Sequence, residues 1–293
     1  MNPLLELIVR SVYFGLRVEP VVNNIKSKFP NKIRMKISID QIDEKFKDYG
    51  IKKGDTIMVH SSLRSINASA EKFIEFLLDY IGEDGNIMMP THPALENRNF
   101  ELVYDIKHSK SRVGYLTEYF RNYKGVKRSL YPFSSVAVWG KDQDWILENN
   151  LNENKPLPHG VYSPYNKLAL LNGFAVCIGV TAKNRATIKH CAEEILDKKF
   201  PVKNFFEEKK VEIHNDGNDL GKYICRIPNL RKSQIFVAKS KIEKEWLNSG
   251  ALVKYKVNEV PLEFVDARKC VEYMKGQIEL GNTSYPFAPI RND

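Results

Sequence analysis

Three stretches of this chain bring together residue types that could do chemistry. In Thr187-Ile188-Lys189-His190-Cys191-Ala192-Glu193, an imidazole and a carboxylate stand three residues apart, which places both on one face of a helix. A carboxylate beside an imidazole raises its basicity and fixes its tautomer, as removal of a proton from an attacking amine requires. In Val59-His60-Ser61-Ser62-Leu63-Arg64-Ser65, a polar loop follows an apolar run. The backbone N–H groups and hydroxyls of such a loop can cradle a diphosphate, and Arg64 adds charge. In Arg128-Ser129-Leu130-Tyr131-Pro132-Phe133-Ser134-Ser135, an arginine and several hydroxyls on a Pro-kinked loop suit an anion or a pantetheine arm. His92, after a strand, and His159, beside Gly160 and ahead of Ser163-Pro164-Tyr165, are further imidazole candidates. Taken singly, each of these features is more often an ordinary turn or a core or surface pair.

Other chemistries find less support. No H-x-H or H-E-x-x-H spacing occurs and no acid pair brackets the histidines, so no metal is expected. Cys177, Cys191, Cys225 and Cys270 are scattered without C-x-x-C spacing, which fits a reducing cytoplasm. Gly160-Val161-Tyr162-Ser163-Pro164 lacks the second glycine of a serine-nucleophile elbow. Neither the phosphate-loop nor the dinucleotide glycine fingerprint is present.

The elements that must position these residues alternate in type. Asp40 is placed to cap a helix carrying Ile42, Phe46 and Tyr49 and closed by Gly50. A strand over residues 56–60, a helix over 71–80 and a second strand over 86–89 make a βαβ-like unit. Further strands are expected at 134–139 and 175–180, and helices at 114–120, 187–197 and 265–280. Residues 209–215 and 222–227 read as a hairpin turning at Asn215-Asp216-Gly217. The expected fold class is α/β, a mixed central sheet flanked by helices with smaller antiparallel additions. Residues 1–38 read as an N-terminal arm, and 39–293 as the catalytic domain. The apolar start of the arm reads as a docking helix, with a membrane-surface or partner helix as the other reading. No stretch is apolar over the ~20 residues a membrane span needs, and no signal peptide is read. The expected location is the cytoplasm. The oligomeric state stays open. Charge of +9 is scattered among acids, so no nucleic acid partner is expected.

In order and spacing these segments resemble the aminoglycoside 3-N-acetyltransferase family. The resemblance rests on Gly54-Asp55 with Val59-His60-Ser61-Ser62-Leu63-Arg64 and on Met89-Pro90-Thr91-His92. It continues through Arg128-Ser129, Pro132 and Ser135, Ser163-Pro164-Tyr165, Ile178-Gly179-Val180, and Thr187 with His190 and Glu193. It implies acetyl-CoA or another acyl-CoA as cosubstrate, with the diphosphate at Ser61, Ser62, Leu63, Arg64 and Ser65. It implies Thr91, Ser129 and Ser135 near the cofactor arm, His190 as general base, Glu193 close by and Thr187 near the thioester. The acceptor side is read at His92, Tyr131, His159 and Tyr165. Two departures stand out: Tyr131 and Ala186 occupy positions where the family usually has His and often has Asn.

Aminoglycosides are polycations, and the expected acceptor stretch of residues 152–166 carries Lys155 and His159 but only Glu153 as an acid. On that charge argument the expected acceptor is the amino group of a nucleotide-linked sugar, an anion. The alternatives are an aminoglycoside 3-N-acetyltransferase conferring antibiotic resistance, and an inactive CoA or nucleotide-sugar binding protein.

Overall fold

The computed structural model describes residues 2–15, 35–98, 101–151 and 156–291. The expected acids and bases at Glu153 and Lys155, and most of the arm, lie outside them. The described strands are β1 Thr56–Ser61, β2 Asn86–Pro90, β3 Glu96–Arg98, β4 Glu101–Asp105, β5 Lys127–Arg128 and β6 Val136–Gly140, followed by β7 Phe174–Ile178, β8 Phe206–Asn215, β9 Asn218–Pro228, β10 Leu252–Val257 and β11 Val260–Asp266. They form a seven-stranded sheet in the order β10-β11-β7-β1-β2-β6-β5 and a four-stranded sheet in the order β3-β4-β8-β9. The fold is mixed α/β, as expected.

Strands β7, β1 and β2 are neighbours and run parallel. Antiparallel partners β11 and β6 close them on either side. The parallel trio is apolar on both faces, as strands covered on both sides must be. Alternation along β1 sorts its side chains. Ile57 and Val59 enter the core layer built on Phe46, Phe73 and Leu77, whereas Met58 enters the layer containing Tyr165, Ile188 and Cys191. His60 therefore shares the face of Met58, on the side that carries the helix of His190. Each large apolar side chain fully buried in these layers contributes about 1.5–3 kcal/mol.

Local signals mostly hold. The helix Ile39–Tyr49 ends at Gly50, whose φ of 97° is the left-handed conformation a glycine adopts most easily. Its N-cap is Ser38, not Asp40. Ser38 and Gln41 form a reciprocal capping box, and Asp40 falls within the helix. The expected helix 187–197 is present but starts later, at Lys189. Short helix Ala182–Arg185 is followed by Lys189–Leu196, with Thr187 in the link between them. The last helix starts at Ala267, because residues up to Asp266 belong to β11. The hairpin β10–β11 and the helix Pro164–Leu170 were not anticipated.

The N-terminal helix Pro3–Arg10 docks by its polar side. Glu6 is buried and accepts from the backbone N–H groups of Lys239 and Ser240 at 3.0 and 3.1 Å, and from the Ser240 hydroxyl at 2.6 Å. Leu4, Leu5, Ile8 and Val9 are exposed. No helix among the described residues is long and apolar enough to cross a membrane.

Arg128 ties the two sheets together. Its guanidinium donates to Thr91 Oγ1 and to the carbonyls of Thr91, Ile106 and Ser109, and it lies 5.2 Å from the centre of the Tyr104 ring. Arg128→Ala would leave those buried acceptors without a donor. The expected loss of stability is on the order of 3 kcal/mol, read from urea denaturation; a loss below about 0.5 kcal/mol would contradict this role.

Candidate active site

The carboxyl ends of parallel strands are where α/β sheets hold their ligands. Here β1 ends in His60 and Ser61, β2 leads to Thr91 and His92, and β7 leads through Gly179 to Thr187 and His190. All three histidine-bearing segments therefore reach the same edge of the sheet. A fourth histidine, His159, arrives from the segment ahead of Pro164–Leu170, a helix capped by the Ser163 hydroxyl on the Asn166 N–H at 3.1 Å.

Helix Lys189–Leu196 organises the imidazoles. His190 Nδ1 and Glu193 Oε2 are 2.7 Å apart. The His190 side chain retains 19% exposure, whereas the Glu193 side chain retains 1%. The Tyr285 hydroxyl, contributed by the C-terminal segment, donates to the same Glu193 oxygen at 3.3 Å. One position along the helix, Glu194 Oε1 meets His159 Nδ1 at 2.7 Å, and its other oxygen accepts the His159 backbone N–H. The ring centres of His159 and His190 are 5.3 Å apart, and those of His159 and Tyr165 are 4.6 Å apart.

Buried polar atoms nearly always find partners. This cluster breaks that rule repeatedly. His60 Nε2, His159 Nε2 and Glu193 Oε1 are buried with no hydrogen-bond partner, and the buried Tyr165 and Thr187 hydroxyls approach each other and find no further partner. Such atoms are what a site needs for holding a reacting group. Burial shifts the imidazoles toward neutrality. His60 is pushed down to about 3 by desolvation, with smaller contributions from His92 and Arg185. His92 is pushed down to about 4 by desolvation, helped by His159, Arg185 and Arg128. His190 is lowered by desolvation, which outweighs the opposing pull of Glu193. A neutral imidazole with Nδ1 on a carboxylate presents its other nitrogen as a base.

Of the residues read from sequence, the structure brings His190, Glu193, Thr187, His92, His159 and Tyr165 together. The loop Ser61, Ser62, Leu63, Arg64 and Ser65 lies at the same sheet edge. Ser62 N–H donates to Ile178 O at 2.9 Å and Ser65 N–H to Ser62 O at 2.8 Å, so those two donors are not available to an anion. Arg64 is exposed and Ser65 buried. Thr91, Ser129 and Ser135 turn inward instead. Thr91 Oγ1 and Ser135 Oγ are 2.9 Å apart, and the Ser129 hydroxyl accepts the Val136 N–H at 3.0 Å, so all three build the wall of the site. Tyr131 is placed away from the imidazoles. Its hydroxyl donates to the Arg226 and Pro156 carbonyls, pinning the second sheet. Sequence reasoning missed Glu194, Arg185 and Tyr285, and quoted His60 only as part of a motif. The Glu193-Glu194 pair was the one visible signal; Tyr285 is 92 positions from the carboxylate it meets.

The close approach of β7 to the loop after β1 depends on Gly179, with φ of 70°. A Cβ there would lie 2.5 Å from Ser65 Cβ. Gly179→Ala should therefore lower the melting temperature and displace residues 61–65; a variant as stable as the parent would show that this contact is loose. The neutral histidines also fix a pH dependence. A free imidazole titrates near 6.5, so between 6.5 and about 4 the unfolded chain binds more protons at positions 60 and 92 than the folded one. Stability then falls as pH drops through that window. The melting temperature is expected to decline from about pH 6.5 to about pH 4, less steeply in His60→Asn. Equal slopes in the two proteins would place His60 outside this linkage.

Residues 58–279 match the family model described as aminoglycoside 3-N-acetyltransferase. An SPbeta prophage-derived aminoglycoside N(3')-acetyltransferase-like protein, YokD, of Bacillus subtilis (strain 168) is 31% identical over 177 residues, covering 52% of this chain and 63% of that protein. Aminoglycoside N(3)-acetyltransferase IV of Salmonella sp is 29% identical over 148 residues, covering 49% and 54%. Among solved structures, AAC-IIIb in binary complex with CoASH superposes with a TM-score of 0.71 at 18% identity, over 86% of this chain and 99% of that one. These matches overturn the expectation of a nucleotide-linked sugar as acceptor, since the family model and both relatives are aminoglycoside N-acetyltransferases or like them. The error is physical: net charge reports solubility and the long-range field, not the content of one pocket. With its fold, its motif order and a family match over most of its length, this chain belongs to the aminoglycoside 3-N-acetyltransferase family.

Proposed function

We propose that this protein transfers an acyl group, acetyl in the simplest case, from acyl-CoA to an amino group of an aminoglycoside, and so protects against such antibiotics. The observation that carries the reading is the His190–Glu193 pair, 2.7 Å apart, at the carboxyl edge of the parallel strands and surrounded by unpartnered polar atoms. Glu193 holds the Nδ1 proton, so Nε2 accepts a proton as the amine nitrogen attacks the thioester carbonyl. The C–N bond forms, the C–S bond breaks, and His190 returns the proton to the departing sulfur. Thr187 Oγ1 is buried beside the Tyr165 hydroxyl, and its own hydroxyl serves as a donor to the oxyanion. The exposed Arg64, with the Ser61 and Ser62 hydroxyls beside it, takes the CoA diphosphate. Tyr285 and Glu193 together fix the tautomer of His190, and neither moves in the reaction.

The test is release of free CoA thiol from acetyl-CoA, with and without a panel of aminoglycosides. Release only in their presence is expected. His190→Ala should cut turnover by about 10²–10⁴-fold while acetyl-CoA still raises the melting temperature. Turnover unchanged in that variant, or acetyl-CoA binding without acceptor-dependent release in the parent protein, would reject the reading.

A further inference from the structure

The acyl-transfer reading leaves one proton unplaced. Ring oxygens and neighbouring ammonium groups make an aminoglycoside amine less basic than a simple alkyl amine, but in slightly acid solution it is still largely an ammonium ion. Overall, R–NH3⁺ and CH3CO–S–CoA give R–NH–CO–CH3, HS–CoA and one free proton. Nitrogen must lose two protons: one to expose its lone pair and one as the C–N bond forms. A single imidazole holds one added proton at a time. If His190 takes the second and returns it to sulfur, the first needs another acceptor.

We infer that His159 is that acceptor, a second base that converts the bound ammonium to the amine His190 then deprotonates during attack. The inference rests on the acyl-transfer reading above and adds a role to it. Its geometry is a copy of the first pair. Consecutive residues of an α-helix point about 100° apart, so Glu193 and Glu194 reach two different rings. Glu194 takes His159 Nδ1 at 2.7 Å and also the backbone N–H of the same residue. That double hold fixes both the ring and its tautomer, with the proton on Nδ1. The free nitrogen, Nε2, is buried and has no partner. The ring lies 5.3 Å from that of His190, centre to centre. A histidine serving the fold alone would have both nitrogens satisfied, as buried polar groups usually are. The charged and titratable groups facing it are Glu194, Glu193 and His190 from the helix Lys189–Leu196, His92 from the loop after β2, and Tyr165 from the helix Pro164–Leu170. Only Glu194 holds the ring by a hydrogen bond. The acquired proton leaves to solvent along the partly exposed edge of His190.

The experiment is a pH profile of acceptor-dependent thiol release for the parent, His159→Asn and His190→Asn, with melting temperatures for each. Asn at position 159 keeps an N–H for Glu194 but has no basic nitrogen. For His159→Asn, kcat/KM should fall about 10²-fold near pH 6.5. The deficit should shrink as pH rises toward the amine's own pKa, where solution supplies neutral amine. His190→Asn should stay impaired across the range. A deficit in His159→Asn that is uniform with pH means a structural role and overturns the inference. So does a profile that matches the parent. Should His159→Asn melt much lower than the parent, His159→Gln carries the same comparison. A parent protein with no acceptor-dependent release removes the acyl-transfer reading and this inference together. A parent that turns over while His159→Asn follows it removes the inference alone.

Discussion

Two adjacent carboxylates, Glu193 and Glu194, buried at 1% and 2% exposure, organise this site. An ionised carboxylate out of water is costly unless hydrogen-bonded, so each must be matched by donors fixed in place. Glu194 gets a backbone N–H and an imidazole N–H; Glu193 gets an imidazole N–H and a phenol. The need runs in both directions. The carboxylates hold the rings in one tautomer, and the rings make the carboxylates tolerable. Orientation of the base is thus a by-product of satisfying a buried charge, and it is fixed before any substrate arrives.

The sheet supplies the second half of the arrangement. Parallel order β7-β1-β2 brings three strand ends to one edge, and alternation along β1 turns His60 toward the helix of His190. Gly179 lets the chain leave β7 tightly against Ser62 and Ser65. The walls are made rigid by groups that look functional in sequence. Arg128, Thr91, Ser129 and Ser135 hold one another and the ends of neighbouring strands, and Tyr131 holds the second sheet. A charged or hydroxylated residue beside a strand end can either face the ligand or bond the backbone around it. Here the buried members of the set do the latter.

That choice explains what was legible. His190-x-x-Glu193 could be read because both partners lie on one helix, where spacing fixes geometry. Strands β1, β2, β6 and β7 could be read from apolar runs, to within two residues at each end. The start of the helix at Lys189 could not, because Thr187 and Ile188 continue the pattern of the residues after them and no capping side chain marks the boundary. Glu194 was hidden because it stands four residues from His190, a spacing that also fits a pair on one face, while its actual partner His159 comes from another element. Tyr285 reaches Glu193 only through the tertiary fold. Counting charge over residues 152–166 pointed to the wrong acceptor class, because the charge of a stretch of sequence does not say which groups line one pocket.

The N-terminal helix shows how far the site's polar network extends. Glu6 caps the helix Lys239–Asn248 by taking the N–H groups of Lys239 and Ser240, in competition with the exposed apolar side of its own helix for the protein surface. Polar capping wins, since an uncapped helix start and an unpaired buried carboxylate would both be destabilising. The result holds Arg10 near Tyr285, whose ionisation is strongly suppressed by burial and by Glu193, with Arg10 opposing. Arg10 in turn bears on Lys239, pushed down to about 8 chiefly by burial, with Lys189, Arg10 and Arg185 adding to it. Arg10 therefore bears on the phenol that donates to Glu193, the carboxylate that orients His190. The polar residues of this helix, Glu6 and Arg10, rather than its exposed apolar ones, are thus what join it to the rest of the protein.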